Sequence, residues 1–94
     1  MELAEDDPIV PSRIEHRIDD IRIDGRTVQY YNYLDYHFEG DAAYFRARAY
    51  VDNMRRITLY GPFAGPEDLV RVEAPDMEAA ILTYLERRFR VDRR

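Results

Sequence analysis

The 94-residue sequence contains no cysteine, no tryptophan and no lysine, and all 14 of its basic residues are arginine. The lack of cysteine excludes a disulfide scaffold, a zinc site with cysteine ligands and a cysteine nucleophile. Uninterrupted apolar runs are only a few residues long, so the sequence predicts no segment that spans a membrane. The residues after Met1 are acidic, unlike the basic start of a secretory signal, and we therefore expect a cytoplasmic protein.

Acidic residues outnumber arginines 19 to 14, and the formal charge is -5 at pH 7. Four of the acids lie in the first seven residues, which leaves 15 acids against 14 arginines in the rest of the chain. Residues 1–12 also carry two prolines and show no hydrophobic period, so we expect an acidic flexible tail ahead of a single domain over residues 13–94. Because nucleic-acid binders usually carry net positive charge, the composition disfavours a nucleic-acid partner.

Residues 28–60 alternate apolar and polar side chains with the period of two that is typical of strands with one buried face. Turn residues at 40–41 and a loop over 53–55 divide this stretch into three strands. Apolar residues meet apolar ones, and acids meet bases, if the strands pair Tyr36 with Phe45, Leu34 with Ala47, Asp35 with Arg46, Ala49 with Leu59 and Asp52 with Arg56.

The stretch before residue 28 is partly ambiguous. Residues 13–19 fit a helix, because Ser12 starts a capping pattern and isoleucines recur at helical spacing, but they also fit a strand, which we favour. The following residues predict a hairpin, since an Asp24–Gly25 turn separates two short runs rich in β-branched residues.

The stretch after residue 60 predicts a short edge strand over 69–72 and then a helix from Pro75 to about Arg90. The whole pattern predicts an α+β domain of two layers. Its sheet is an antiparallel meander of four strands, or five with the edge strand, and the C-terminal helix packs on the apolar face of the sheet.

The outward face of this predicted sheet is rich in tyrosine and arginine, the residue types that dominate interface hot spots. We expect it to bind a protein partner or a second copy of the chain, either through this face or through an edge strand. The docking residues predicted from the alternation are Tyr31, Tyr33, Tyr44, Arg46, Arg48, Tyr50, Arg56 and Tyr60.

The sequence also allows two alternative functions. Asn32 falls in the inward row, where a buried amide needs hydrogen-bond partners, and with Tyr30 and Tyr84 it would line a small-ligand pocket between helix and sheet. An aromatic and basic sheet face is also used to stack the bases of single-stranded nucleic acid, although acids on the same face oppose that reading.

Signals for catalysis and for metal binding are weak. The single serine, Ser12, has no base placed beside it by any local pattern. Asp35 and His37 lie two apart on the outward face, as two metal ligands could, but the sequence shows no third ligand. We therefore expect a non-enzymatic protein with no metal site and no cofactor.

Overall fold

The computed structural model describes residues 8–53 and 55–93. Within them the chain is an α+β fold with a mostly antiparallel, strongly curled sheet and one α-helix. The elements are β1 (Arg13–Ile23), β2 (Arg26–Glu39), β3 (Tyr44–Tyr50), a 3-10 turn (Val51–Asn53), β4 (Arg56–Gly65), β5 (Asp68–Arg71), α1 (Pro75–Glu86) and β6 (Arg90–Arg93). The strand order is β1-β2-β3-β4-β5, and β6 pairs parallel to β4.

The predicted α+β class, with a mostly antiparallel sheet and one helix, is confirmed, and residues 13–19 belong to a strand, as favoured. The predicted number of strands is wrong, because the described residues form six strands rather than four or five and the sheet is strongly curled. The helix ends at Glu86 instead of Arg90, because the chain turns and Arg90 donates its backbone N–H to the carbonyl of Arg55. Val91 then lies opposite the buried Ile57 and packs against the core, which a helical continuation would not allow.

The first hairpin forms as the sequence predicts. Ile23 pairs with Arg26 across a two-residue turn, in which Asp24 and Gly25 have φ of 55° and 78°. Both values lie in the left-handed region that a type I′ turn requires.

The two following hairpins differ from the prediction by two residues each. Asp35 pairs with Arg48 and Ala47 with Leu59, because the first loop is longer than predicted and β3 ends at Tyr50 in the 3-10 turn. A shift of two leaves every side chain on its predicted face, since side chains alternate with a period of two. The predicted contact between Asp52 and Arg56 does not form.

The core lies between α1 and one face of the sheet, as predicted. Ala47 and Ala49 are fully buried, and their small side chains leave room for the helix. The largest fully buried side chains are Phe38, Phe45, Ile57, Ile81 and Leu85. Neither helix in the described part of the chain is long and apolar enough to cross a membrane.

The predicted tail lies partly outside the described residues, which begin at residue 8. Ile9 packs against the core, and Ser12 donates its backbone N–H to the carbonyl of His37. The Ser12 hydroxyl also accepts a hydrogen bond from the backbone N–H of Glu39. These contacts hold the end of the segment against β2.

Candidate functional site

The sheet face opposite the helix carries most of the predicted docking residues, and its centre is a salt bridge. Asp35 is 2% exposed, and its two carboxylate oxygens accept hydrogen bonds from Nε and Nη2 of Arg48 at 2.8 and 3.0 Å. The Arg48 guanidinium lies 4.1 Å from the ring centre of Tyr33, within cation–π distance. The hydrogen bonds with Asp35 raise the pKa of Arg48, so the guanidinium stays charged.

A second group on this face is a chain of three hydrogen-bonded side chains. The Glu15 carboxylate can only accept, so His37 donates to it from Nε2 at 3.0 Å; in the tautomer with its proton on Nε2, Nδ1 accepts from the Tyr44 hydroxyl at 2.6 Å. The rings of His37 and Tyr44 also stack. The bond from His37 lowers the pKa of Glu15, and burial raises the pKa of Tyr44.

Tyr33 completes the buried part of this face. It is 4% exposed, its hydroxyl donates to Asp19 at 2.9 Å, and its ring makes an edge contact with Tyr50. Burial, followed by the bond to Asp19, raises the pKa of Tyr33. We call this whole surface the packed face, comprising Glu15, Asp19, Tyr33, Asp35, His37, Tyr44, Arg46, Arg48, Tyr50 and Tyr60.

Of the eight predicted docking residues, only Tyr31 and Arg56 are exposed. The expectation that Tyr33 and Tyr44 lie at the surface is wrong, because neighbouring side chains of the same face cover them. The other four are half-buried, namely Arg46, Arg48, Tyr50 and Tyr60, and the Arg46 guanidinium lies 4.8 Å from the Tyr60 ring.

Arg46 and Arg56 also have partners other than the predicted ones. Arg46 lies opposite His37, and it is Arg48 that meets Asp35. Arg56 forms its ion pair with Asp92 of β6, a strand that the sequence pattern did not reveal. Whether the packed face docks a partner stays a prediction.

The structure supplies the third acidic or histidine ligand that the sequence did not show. Glu15 of β1 lies opposite Asp35, and donor atoms of Glu15, Asp35 and His37 all lie within 4.8 Å of one another. Every one of these groups is already engaged, however, and the Arg48 cation sits on Asp35. The arrangement is that of a hydrogen-bonded network, and an adjacent guanidinium opposes a divalent cation.

The three residues of the predicted ligand pocket do not come together. Tyr30 is 56% exposed, and Asn32 Oδ1 accepts a hydrogen bond from Nε2 of His16 at 2.5 Å. Tyr84 packs edge-on against Phe38, six residues along β2 from Asn32, which is about 20 Å of strand. The predicted pocket between helix and sheet is therefore wrong for this set of residues.

The most exposed apolar surface lies on the first hairpin. The helix covers β2, β3 and β4 but not β1, so isoleucines on β1 remain open to solvent, with Ile14 and Ile18 each 53% exposed. Seven of the eleven exposed large hydrophobic residues among those described belong to this hairpin: Ile14, Ile18, Ile21, Ile23, Val28, Tyr30 and Tyr31. We call the free side of strand 13–23 the β1 edge.

The β1 edge also has unpaired backbone. Within the described residues β1 pairs with β2 alone and is the outermost strand of the sheet. It runs for 11 residues without proline or glycine. The opposite side of the sheet differs, because β5 and β6 have only four residues each.

Comparison with protein-family models, with curated proteins and with solved structures finds no significant match. The geometry of the described residues alone therefore supports the functional interpretation.

Proposed function

We propose that this chain is a non-enzymatic assembly module that associates with a second copy of itself through the β1 edge. The observation that carries the proposal is the combination of a long strand with one unpaired edge and a row of exposed isoleucines on the same element. Exposed strand edges pair readily with other chains, and natural proteins usually protect them with prolines, charged side chains, bulges or short strands. β1 has charged side chains, but it has no proline and is 11 residues long.

The protective features are distributed unevenly over this sheet. The opposite side is divided between two short strands, and its Phe63 and Gly65 pairings with β5 include an irregularity. On β1 the only irregularity lies between Ile21 and Arg22, near the hairpin tip. Residues 13–21 are consequently a regular template for another strand.

The packed face offers less to a partner. At its centre Asp35, Arg48 and His37 already bond or stack with their neighbours, so a partner there would have to break these contacts before making its own. The same pairing argues against catalysis, because a general acid or base needs access to substrate. The two alternatives, a small-ligand pocket and binding of single-stranded nucleic acid, gain no support from the separated pocket residues and the covered tyrosines.

Sedimentation velocity over a dilution series, from low micromolar to near-millimolar chain, tests the proposal. We expect the mass to rise from monomer to dimer with concentration. Ile18→Lys puts a charge into the row of exposed isoleucines on β1 and should keep the chain monomeric. The matched control is Leu69→Lys on β5, where the leucine is 66% exposed, and it should associate like the wild type.

Two results would contradict the proposal. A wild-type chain that stays monomeric at the highest concentration does not self-associate at all. If Leu69→Lys disperses the dimer and Ile18→Lys does not, association uses the β5 side of the sheet instead.

A further inference from the structure

If the chain self-associates as proposed, the order of charged and apolar residues along the β1 edge favours one way of pairing two copies. The charged residues on the side of β1 that faces away from the helix alternate in sign: Arg13, Glu15, Arg17 and Asp19. Ile14 and Ile18 lie on the other side of the strand, opposite Tyr36 and Asn32 of β2. All six side chains are accessible in the described structure, with Glu15 the least exposed. Within the chain Glu15 contacts Arg13, Arg17 and His37, and Asp19 accepts from Tyr33, but a carboxylate has about four acceptor sites and can take a further partner.

We infer that two copies pair antiparallel through β1 with the two His16 residues opposite each other at the two-fold axis. In this register Arg13 faces the second copy's Asp19, and Glu15 faces its Arg17, so the alternating row is complementary to itself. Ile14 faces Ile18 on the helix side of the joined sheet. Side chains directly opposite in an antiparallel pair are close enough for both kinds of contact.

Neighbouring registers do not match in this way. A two-fold axis at Arg17 would place Arg17 against Arg17 and Glu15 against Asp19. An axis at Ile18 would keep the contact between Arg17 and Asp19 but put Ile14 opposite Arg22. Like charges directly opposite destabilise a strand pair, and a charge opposite an isoleucine loses the apolar contact. The register at His16 is the one in which all four charged residues of the row meet an opposite charge.

The helix side of such a dimer also accounts for the exposed isoleucines. The antiparallel pairing brings Ile14 and Ile18 of both copies into one strip between the two helices. In a single chain each of these isoleucines is 53% exposed. The occupant of the β1 edge is thus a second copy of this chain, whose charge pattern fits it without any change of sequence.

Disulfide cross-linking gives a direct test, because the chain has no native cysteine. His16→Cys places two cysteines at the proposed axis, with Cα atoms about 5 Å apart, within the range that a disulfide bridges. Ile18→Cys is the control, since its two copies would lie four residues out of register, roughly 14 Å apart. Under mild oxidation we expect His16→Cys to form covalent dimers and Ile18→Cys to form few.

The other outcomes separate the register from the proposed function. Preferential linking of Ile18→Cys, or equal linking of both variants, overturns the register while self-association stands. A dimeric mass with no linking at either position removes β1 from the interface. A wild-type chain that is monomeric by mass overturns the proposed function itself.

A charge-exchange experiment tests the same register without cysteine. Arg13→Glu alone and Asp19→Arg alone each put two like-charged pairs into the dimer and should weaken it by about tenfold or more. In an equimolar mixture the two variants complement each other, so a dimer of mixed composition should return. Arg26→Glu at the hairpin tip is the matched control and should dimerise like the wild type. A mixture that stays monomeric, with both variants folded by circular dichroism, overturns the register.

Discussion

The packed face and the β1 edge belong to the same sheet but differ in how far their groups are paired within the chain. At the centre of the packed face, charged and polar side chains are buried and bonded to neighbours: Asp35 to Arg48, and His37 to Glu15 and Tyr44. Arg46 stacks on Tyr60, although its buried Nε has no hydrogen-bond partner. On the β1 edge, apolar side chains are exposed and lack such matching within the chain. The comparison shows that residue type alone does not identify an interface. The relevant property is whether groups are satisfied internally.

Position in the sheet explains this difference. β2 and β3 lie inside the sheet, so both of their edges are paired and their side chains have neighbours on both sides. β1 has a neighbour on one side only, and α1 does not reach it. The interior strands therefore have neighbours on both edges, whereas β1 has one free edge.

The largest loss of stability is expected from Asp35→Ala, in the packed face. The substitution leaves the half-buried Arg48 without its carboxylate, and removing one partner of a buried ion pair costs about 3 kcal/mol of unfolding free energy. Urea unfolding measures the change. The control is Asp20→Ala, which breaks an exposed pair with Arg22 and should cost less than about 1 kcal/mol. Equal losses for both variants would mean that the packed face is not buried.

A smaller loss is expected from Tyr44→Phe. It removes the hydroxyl that donates to Nδ1 of His37 and leaves that buried nitrogen without a partner, at a cost of about 1 to 2 kcal/mol. Tyr30→Phe is the matched control, because Tyr30 is 56% exposed on the hairpin, and it should change stability by less than about 0.5 kcal/mol. A neutral Tyr44→Phe would show that the hydroxyl does not stabilise the packed face.

Alkaline pH offers a test that needs no substitution. Burial raises the pKa of Tyr33, Tyr36 and Tyr44 above the ordinary tyrosine value. As pH rises past about 10, these tyrosines lose protons in the unfolded chain before they do so in the folded one, so the free energy of unfolding falls. Since lysine and cysteine are absent, tyrosine is the one side-chain type in the sequence with an ordinary pKa near 10. Urea unfolding at increasing pH, with tyrosinate absorbance, should show this decline, and a constant stability would contradict it.

The faces of the sheet could be predicted from the sequence, whereas the pairing partners could not. Phe45 and Ala47 lie on the predicted face because a strand fixes the side of each residue by its parity. Their partners depend on loop lengths, and both loops displaced the register by two residues. Arg48 rather than Arg46 consequently meets Asp35, and burial of the packed face follows from that pairing.

The sequence pattern did not identify the β1 edge, because the helix period and the strand period coincide there. Ile14 and Ile18 are four residues apart, a spacing that puts two side chains on one face of a helix and also on one face of a strand. Only the pairing with β2 resolves the choice. Counting back from the Asp24–Gly25 turn could have brought Glu15 near Asp35, but the irregularity between Ile21 and Arg22 moves that count by one residue.

The smallest effect on stability is expected from Ile18→Thr, which keeps a β-branched residue on the β1 edge. At a concentration where the chain is monomeric, it should change the free energy of unfolding by less than about 0.5 kcal/mol, because Ile18 is already 53% exposed. Ile57→Thr, at a residue 1% exposed, should cost about 3 kcal/mol through a lost contact and a buried hydroxyl. At high concentration Ile18→Thr should instead lower the stability gained by association. A large loss in the dilute monomer would show that the β1 edge is packed within the chain, and the contrast between the two regions would be wrong.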